Sequence, residues 1–174
     1  MEQLVIHGGH PLRGHVKIGG AKNAVLPIIA AALLGTNGKS VLDEVPALED
    51  VYTITAVLRA LGVTADYTAS EHRLVIDASH IATVSAPYDL VRKMRASFLI
   101  MGPLLAREGH AEISLPGGCA IGTRPIDLHL KGFEALGAEI EITQGAIHAR
   151  APHGLKGARI YFDFPSVGAT ENVM

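Results

Sequence analysis

Ala60-Leu61-Gly62-Val63-Thr64-Ala65-Asp66-Tyr67-Thr68 is answered later in the chain by Ala135-Leu136-Gly137-Ala138-Glu139-Ile140-Glu141-Ile142-Thr143. Each segment ends a helical pattern on a glycine and runs directly into residues suited to a strand. The two glycines are 75 residues apart. Upstream of the first, Glu49-Asp50 open a helix with Ile54, Val57, Leu58 and Leu61 on one face. Downstream, Val63 to Thr68 and Arg73 to Asp77 read as strands joined by a polar turn at Ala69 to His72. The second copy offers a helix with Ile126, Leu130 and Phe133 on one face, then strands Glu139 to Ile142 and Ile147 to Arg150.

Each copy has an earlier half. Ala24 to Leu34 predicts a helix buried nearly all round, Gly35 its terminating glycine, and Ser40 to Val45 a strand. Its counterpart is a long helix from about Tyr88 to Arg107 behind Pro87, kinked at Gly102-Pro103, followed by a strand from His110 to Leu115. Gly168-Ala169-Thr170-Glu171-Asn172 echoes Gly20-Ala21-Lys22-Asn23 near twice the repeat interval. The unit is helix, strand, helix, strand, strand, so the fold class is α/β, closing around shared buried helices rather than extending as a solenoid. Ahead of it, Leu4-Val5-Ile6 and Val16-Lys17-Ile18 read as short strands around a turn at Gly8 to Pro11.

Composition narrows the class. The chain has 174 residues, 48% hydrophobic and 18% charged, with a net charge of −2. That is enough to bury a core, and it favours neither nucleic acid nor an anionic membrane as partner. The longest apolar run, Ala24 to Leu34, contains Pro27 and is too short to span a bilayer. No basic-then-apolar leader opens the sequence, and a single cysteine suits a reducing compartment, so a cytoplasmic location is expected.

That cysteine sits in Leu115-Pro116-Gly117-Gly118-Cys119-Ala120-Ile121-Gly122-Thr123-Arg124-Pro125-Ile126-Asp127-Leu128-His129-Leu130. Glycines keep the thiol off regular structure, and Arg124 brings a fixed charge near it, a setting that tunes sulfur chemistry. Pro125 suits a first helical turn. Gly19-Gly20-Ala21-Lys22-Asn23 precedes a helix and leaves amide donors and a lysine for an anion. Gly35-Thr36-Asn37-Gly38-Lys39-Ser40 fails as a nucleotide P-loop, having two residues between its glycines where four are needed, and lying between helix and strand in the wrong order. His7, His10 and His15 match no metal-ligand spacing and read as turn-flanking surface residues. No metal or cofactor is expected.

Gly20-Ala21-Lys22-Asn23, Met94-Arg95-Ala96-Ser97, the run from Pro116 to Leu128, and Ser166-Val167-Gly168-Ala169-Thr170-Glu171-Asn172 fall in order from end to end. Together they resemble the UDP-N-acetylglucosamine enolpyruvyl transferase family. The resemblance implies an inside-out α/β barrel of βαβαββ units, with two domains of three repeats and the active site between them. On that pattern residues 1–20 belong to the second domain. Residues 21–174 are then the first domain, as two repeats and the start of a third (about 21–87, 88–155 and 156–174). The second domain is absent from this sequence, or supplied by another chain.

The implied reaction transfers enolpyruvyl from phosphoenolpyruvate to the 3′-hydroxyl of the sugar nucleotide, releasing phosphate, as the first committed step of peptidoglycan synthesis. By resemblance Cys119 is the general acid that protonates the methylene carbon, forms an adduct with phosphoenolpyruvate, and is the target of fosfomycin. Lys22, Asn23 and Arg124 are assigned to phosphoenolpyruvate. Asn23, Arg95, Arg124, Pro125, Ile126, Asp127, Leu128, Phe164, Pro165, Ser166, Val167 and Gly168 are assigned to the sugar nucleotide. Arg95 is expected at the nucleotide phosphate, Arg124 and Pro125 flanking the uracil, and Asp127 and Leu128 at its polar edge. Ser166 to Gly168 are expected to donate to the diphosphate. Some family members carry a lysine where this chain has Phe164-Pro165.

Three other readings compete. A shikimate 3-phosphate enolpyruvyl transferase would lack the Pro-Gly-Gly-Cys signal. A non-catalytic sugar-nucleotide-binding fragment would bind without turnover. A cysteine hydrolase would need His129 as its base, and no orienting carboxylate is evident in the sequence.

Overall fold

The computed structural model describes residues 3–9, 11, 13–92, 94–115 and 126–174, the side chain of Arg95 excepted. Helices α2 (Glu49–Ala60) and α5 (Asp127–Ala135) end in one hydrogen-bond pattern. Gly62 N donates to Arg59 O at 3.0 Å and Val63 N to Leu58 O at 3.1 Å; Gly137 N donates to Glu134 O at 2.9 Å and Ala138 N to Phe133 O at 3.0 Å. These are Schellman caps, and both glycines are left-handed, at φ +87° and +94°. An L side chain there costs about 1–2 kcal/mol. A further bond repeats as well: Ala82 N donates to Leu61 O and Lys156 N to Leu136 O, both at 2.8 Å.

Each cap feeds an antiparallel hairpin, β2 (Thr64–Thr68) with β3 (Arg73–Asp77), and β6 (Glu139–Thr143) with β7 (Ala146–Arg150). The second closes through Gln144 and Gly145, both at positive φ, as a two-residue turn between twisted strands requires. Strand β1 (Ser40–Leu42) adds to β3, with Val41 opposite Val75. In the same position β5 (His110–Ser114) adds to β7, with Ile113 opposite Ile147, and β4 (Ser85–Ala86) lies parallel on its outer side. The sheets thus run β1-β3-β2 and β4-β5-β7-β6. Alternation sends Ala65, Leu74 and Ile76 of one sheet, and Ala111, Ile113, Ile147 and Ala149 of the other, into the core.

Three inner segments meet between the sheets: α1 (Lys22–Ala31) with its 3₁₀ extension Ala32–Leu34, the 3₁₀ turn Arg95–Ile100 leading into α4 (Met101–Glu108), and α6 (Val167–Val173). Ile29, Leu33, Ile100, Met101, Leu104 and Leu105 are fully buried there, each stabilising by about 1.5–3 kcal/mol. Arg107 locks two units together. Its Nη1 donates to Leu33 O and Gly35 O, both at 2.9 Å, and to Ala78 O; Nη2 donates to Ser79 O at 3.1 Å. One guanidinium therefore caps carbonyls at the end of the first inner segment and just after β3.

Several expectations change. The span from Tyr88 to Arg107 is not one helix: α3 (Tyr88–Val91) stops, Met94 is extended at φ −142° and ψ 117°, and a 3₁₀ turn restarts the chain. Gly102-Pro103 does not kink α4, because Pro103 lies in its first turn where a missing amide donor costs little. Helix α1 is buried on one side only, and Ile28 and Leu34 are about half exposed on the other. Those two residues, with Ala24, Ala31, Pro103, Ala106 and Met174, line an apolar groove of about 650 Å³. Gly35 follows the helix end with φ −69°, and the left-handed glycine of that turn is Gly38. Among the described residues before α1, Leu4-Val5-Ile6 and Val16-Lys17-Ile18 form no strands and are exposed. No third strand covers them, and a lone hairpin is marginal in water. Residues 158–162 form no strand either.

Candidate functional site

Lys22 and Asn23 are the first two residues of α1, where the glycine-led turn delivers them. Asp50 is the second residue of α2, a first-turn position that favours a carboxylate. Packing of α1 on α2 brings Lys22 Nζ within 2.9 Å of Asp50 Oδ2. The lysine side chain is 51% exposed and the aspartate 28%, so the pair contributes about 0–1 kcal/mol and yields readily to a better anion.

The start of the third inner segment faces the same space. Ser166 is the N-cap of α6, and its Oγ accepts from Ala169 N at 3.2 Å. Its hydroxyl hydrogen remains a donor. The run leading to it is tied to α5 by Lys131, whose Nζ donates to Asp163 Oδ2 at 2.5 Å and holds that carboxyl below the ordinary carboxylate range. Both ends open on one cavity of about 580 Å³. Lys22, Asn23, Leu26 and Pro27 of α1 and Asp50 of α2 line it, with Met94, Ala96, Phe98 and Leu99 from the segment ahead of α4, and Ile126, His129, Ser166, Val167, Gly168 and Glu171 from around α5 and α6. Among the described lining residues the formally charged groups are Lys22, Asp50 and Glu171.

Six residues expected at the site therefore meet: Lys22, Asn23, Ile126, Ser166, Val167 and Gly168. Asp127 and Leu128 occupy the first turn of α5, exposed and half-buried respectively, outside that lining. Phe164 and Pro165 are exposed just ahead of Ser166, also outside it. Cys119, Arg124 and Pro125 lie outside the described residues, as do the Arg95 side chain, Lys93 and His10. The sequence did not flag Asp50, Phe98 or Glu171 for this site. Glu49-Asp50 at a helix start was the available signal, but only as a dipole partner.

His129 enters differently from expectation. It is 5% exposed, packs edge-to-face on Phe98 with centroids 5.0 Å apart, and its Nδ1 lies 3.0 Å from Asn172 Nδ2. The partner at Nδ1 is an amide, not the carboxylate that would orient a hydrolase base. No helix among the described residues is long and apolar enough to cross a membrane.

The arrangement can receive an anionic, polyhydroxyl ligand: a lysine, an amide and the Ser166 hydroxyl converge on a cavity with partly apolar walls. Comparisons with known proteins agree with the topology. The chain is 64% identical over all 174 residues to UDP-N-acetylglucosamine 1-carboxyvinyltransferase 2 of Carboxydothermus hydrogenoformans, covering 41% of that protein. It is 58% identical to UDP-N-acetylglucosamine 1-carboxyvinyltransferase 1 of Halalkalibacterium halodurans, covering 39% of it. The chain thus spans about two-fifths of the length of these curated relatives. The enolpyruvyl transferase NikO from Streptomyces tendae superposes with a TM-score of 0.70 at 25% identity, over 87% of this chain and 32% of that one. EPSP synthase from Acinetobacter baumannii gives the same TM-score at 19% identity, over 92% of this chain and 37% of that one, which bears on the fold alone. A family model for EPSP synthase (3-phosphoshikimate 1-carboxyvinyltransferase) matches residues 6–174. With its repeated α/β units, its three converging inner segments and this match over nearly its whole length, the chain belongs to the EPSP synthase family.

Proposed function

We propose that this chain carries the sugar-nucleotide side of a UDP-N-acetylglucosamine enolpyruvyl transferase. The observation that carries the reading is the convergence of Lys22 and Asn23 from the first unit with Ser166, Val167 and Gly168 from the third on one cavity. Relatives at 58% and 64% identity bear that enzyme's name, whereas the EPSP synthase neighbour shares only 19%. That difference favours a sugar nucleotide over shikimate 3-phosphate as the acceptor.

In this reading Lys22 leaves Asp50 to hold the phosphate of phosphoenolpyruvate, and Asn23 contacts the sugar. Ser166 and the Val167 and Gly168 amides donate to the diphosphate, while Arg95 supplies a cation. Arg124 and Pro125 flank the uracil, and Ile126, Asp127 and Leu128 complete its surround, with Phe164-Pro165 at the rim. The sugar 3′-hydroxyl oxygen adds to C2 of phosphoenolpyruvate as its proton passes to a general base and Cys119 protonates C3, leaving a thiolate. Phosphate then leaves C2 as a C3 proton is lost, restoring the enol ether. Fixed donors aimed at the phosphate stabilise the charge that builds as it departs.

Phosphate release tests the proposal. In a protein extended to the relatives' full length, Cys119→Ser removes most turnover, because a hydroxyl is far too weak an acid at neutral pH, and Cys119→Asp retains part of it. Turnover by Cys119→Ser equal to the parent's overturns the role. A second reading, binding without turnover by this chain, is favoured by its two-fifths coverage of its relatives. Calorimetric binding of UDP-N-acetylglucosamine with no phosphate released from phosphoenolpyruvate distinguishes it.

A further inference from the structure

The residues that enter α1 are joined to the turn between β1 and α2 by three contacts. Lys17 Nζ donates to Glu44 Oε1 at 2.8 Å, Lys22 Nζ meets Asp50 Oδ2 at 2.9 Å, and between them Gly20 lies directly on the Glu44 carbonyl. A Cβ built on Gly20 would overlap Glu44 O and stand 3.0 Å from Pro46 Cδ. Gly19, next to it, has open space at the same position, and neither glycine has a positive φ. What requires glycine at position 20 is therefore the close approach, not the backbone angle.

The turn is the firmer partner. Val45 N donates to His72 O at 2.8 Å, Tyr67 Oη donates to Val45 O at 3.1 Å, and Arg73 Nε donates to Asp43 Oδ1 at 2.7 Å, so the β2–β3 hairpin pins the chain on both sides of Glu44. Residues 13–19, by contrast, are exposed. A side chain on Gly20 would accordingly move the entry to α1 rather than the turn. The next residue, Ala21, is the N-cap whose carbonyl accepts from Ala24 N at 3.1 Å and Val25 N at 3.0 Å, and Lys22 and Asn23 follow it. The same turn runs on into α2 and Asp50. An exposed ion pair is too weak to hold two helix starts in place, so the backbone contact has to do it.

We propose that Gly20 is a positioning residue for the anion site: its bare Cα, seated on the Glu44 carbonyl, sets the start of α1 against the start of α2. That seat holds Lys22 Nζ beside Asp50 at the cavity, where a phosphate can take the carboxylate's place. The ligand half of the inference rests on the role proposed for Lys22 toward phosphoenolpyruvate; the seat does not.

Covalent labelling of Lys22 in the 174-residue chain, with Lys131 as internal reference, reads the geometry. Gly20→Ala should bring the Lys22 rate to that of Asp50→Asn, a change of about two- to fivefold. It should add nothing in the Asp50→Asn background, and Gly19→Ala should label as the parent does. Equal effects of the two glycine variants, or independent effects of Gly20→Ala and Asp50→Asn, overturn the positioning role. Phosphoenolpyruvate should slow Lys22 labelling in the parent, and Gly20→Ala should raise the concentration for half-protection about tenfold. An unchanged half-protection concentration overturns the positioning role. No protection in the parent overturns the assignment of Lys22 to phosphoenolpyruvate instead, and the labelling rates still decide the seat. Should Gly20→Ala fail to fold, nuclear Overhauser contacts between Gly20 Hα and Pro46 Hδ in the parent decide it: their presence supports the seat and their absence overturns it.

Discussion

Replacing Arg107 by Met keeps most of the unbranched stem packed and removes the guanidinium. The side chain is 12% exposed, and its fork serves the carbonyls of Leu33, Gly35, Ala78 and Ser79. A hydrogen bond to a charged group contributes about 1.5–3 kcal/mol net, and the four share one cation, so they do not add. Water can reach the Gly35 and Ser79 carbonyls, whose bonds are exposed, whereas those of Leu33 and Ala78 are part-buried. The expected loss is therefore the equivalent of the two inner bonds, about 3 kcal/mol. For a chain of this size that lowers Tm by roughly 6–12 °C. Urea unfolding followed by circular dichroism should show a lower midpoint at unchanged slope. Arg107→Lys should recover less than half, since an ammonium cannot fork to four carbonyls. A loss below about 0.5 kcal/mol, the level of an ordinary surface substitution, would refute the clamp.

Gly62→Ala and Gly137→Ala share the left-handed penalty of about 1–2 kcal/mol, but only Gly62 also faces Ala82, whose Cβ would lie 2.5 Å from the new methyl. Gly62→Ala should be the more destabilising in denaturant titrations, and equal losses would remove the packing argument. Asp77 accepts from the Ser79 hydroxyl at 2.6 Å and its amide at 3.1 Å, and these bonds hold its pKa below the ordinary aspartate value. With the folded pKa lowered, the contribution is complete above the unfolded pKa and is lost as pH falls through the folded one. Ser79→Ala should accordingly raise the carboxyl pKa read by ¹³C NMR, and no rise would contradict the assignment. Asp50→Asn removes the partner of Lys22, so covalent labelling of that amine should change in rate while the labelling of Lys17, paired with Glu44 at 2.8 Å, stays constant. In hydrogen exchange, amides of residues 4–6 and 16–18 should exchange near the unprotected rate while β5 and β7 exchange slowly, and slow exchange at both would contradict the unpaired N-terminal segment.

What could be read from the sequence was local. The two caps at Gly62 and Gly137, the hairpins after them and the amphipathic faces of α2 and α5 are written in short spacings, and the repeat made each copy a check on the other. The break at Met94 was hidden because Leu90, Met94 and Phe98 keep helical spacing through a segment that is extended and then 3₁₀. The outer face of α1 was overread: the run from Ala24 to Leu34 is apolar all round, while only one side meets the neighbouring helices. The site was half legible. Lys22, Asn23 and Ser166 to Gly168 lie in recognisable motifs, but Asp50 reaches Lys22 only through helix packing. The Arg107 clamp and the Asn172–His129 contact join residues distant in sequence and have no local signature.

If the ends of the three inner segments form one sugar-nucleotide cavity, one ligand should perturb all of them together. Titration of the ¹⁵N-labelled chain with UDP-N-acetylglucosamine, followed by amide chemical shifts, tests it most directly. Saturable shifts should concentrate at residues 22–23, 50, 94–99, 126–129 and 166–171, weaken with Lys22→Gln and be absent with N-acetylglucosamine alone at the same concentration. Shifts confined to the apolar groove beside Ile28 and Leu34, or no saturable shift at all, would contradict it.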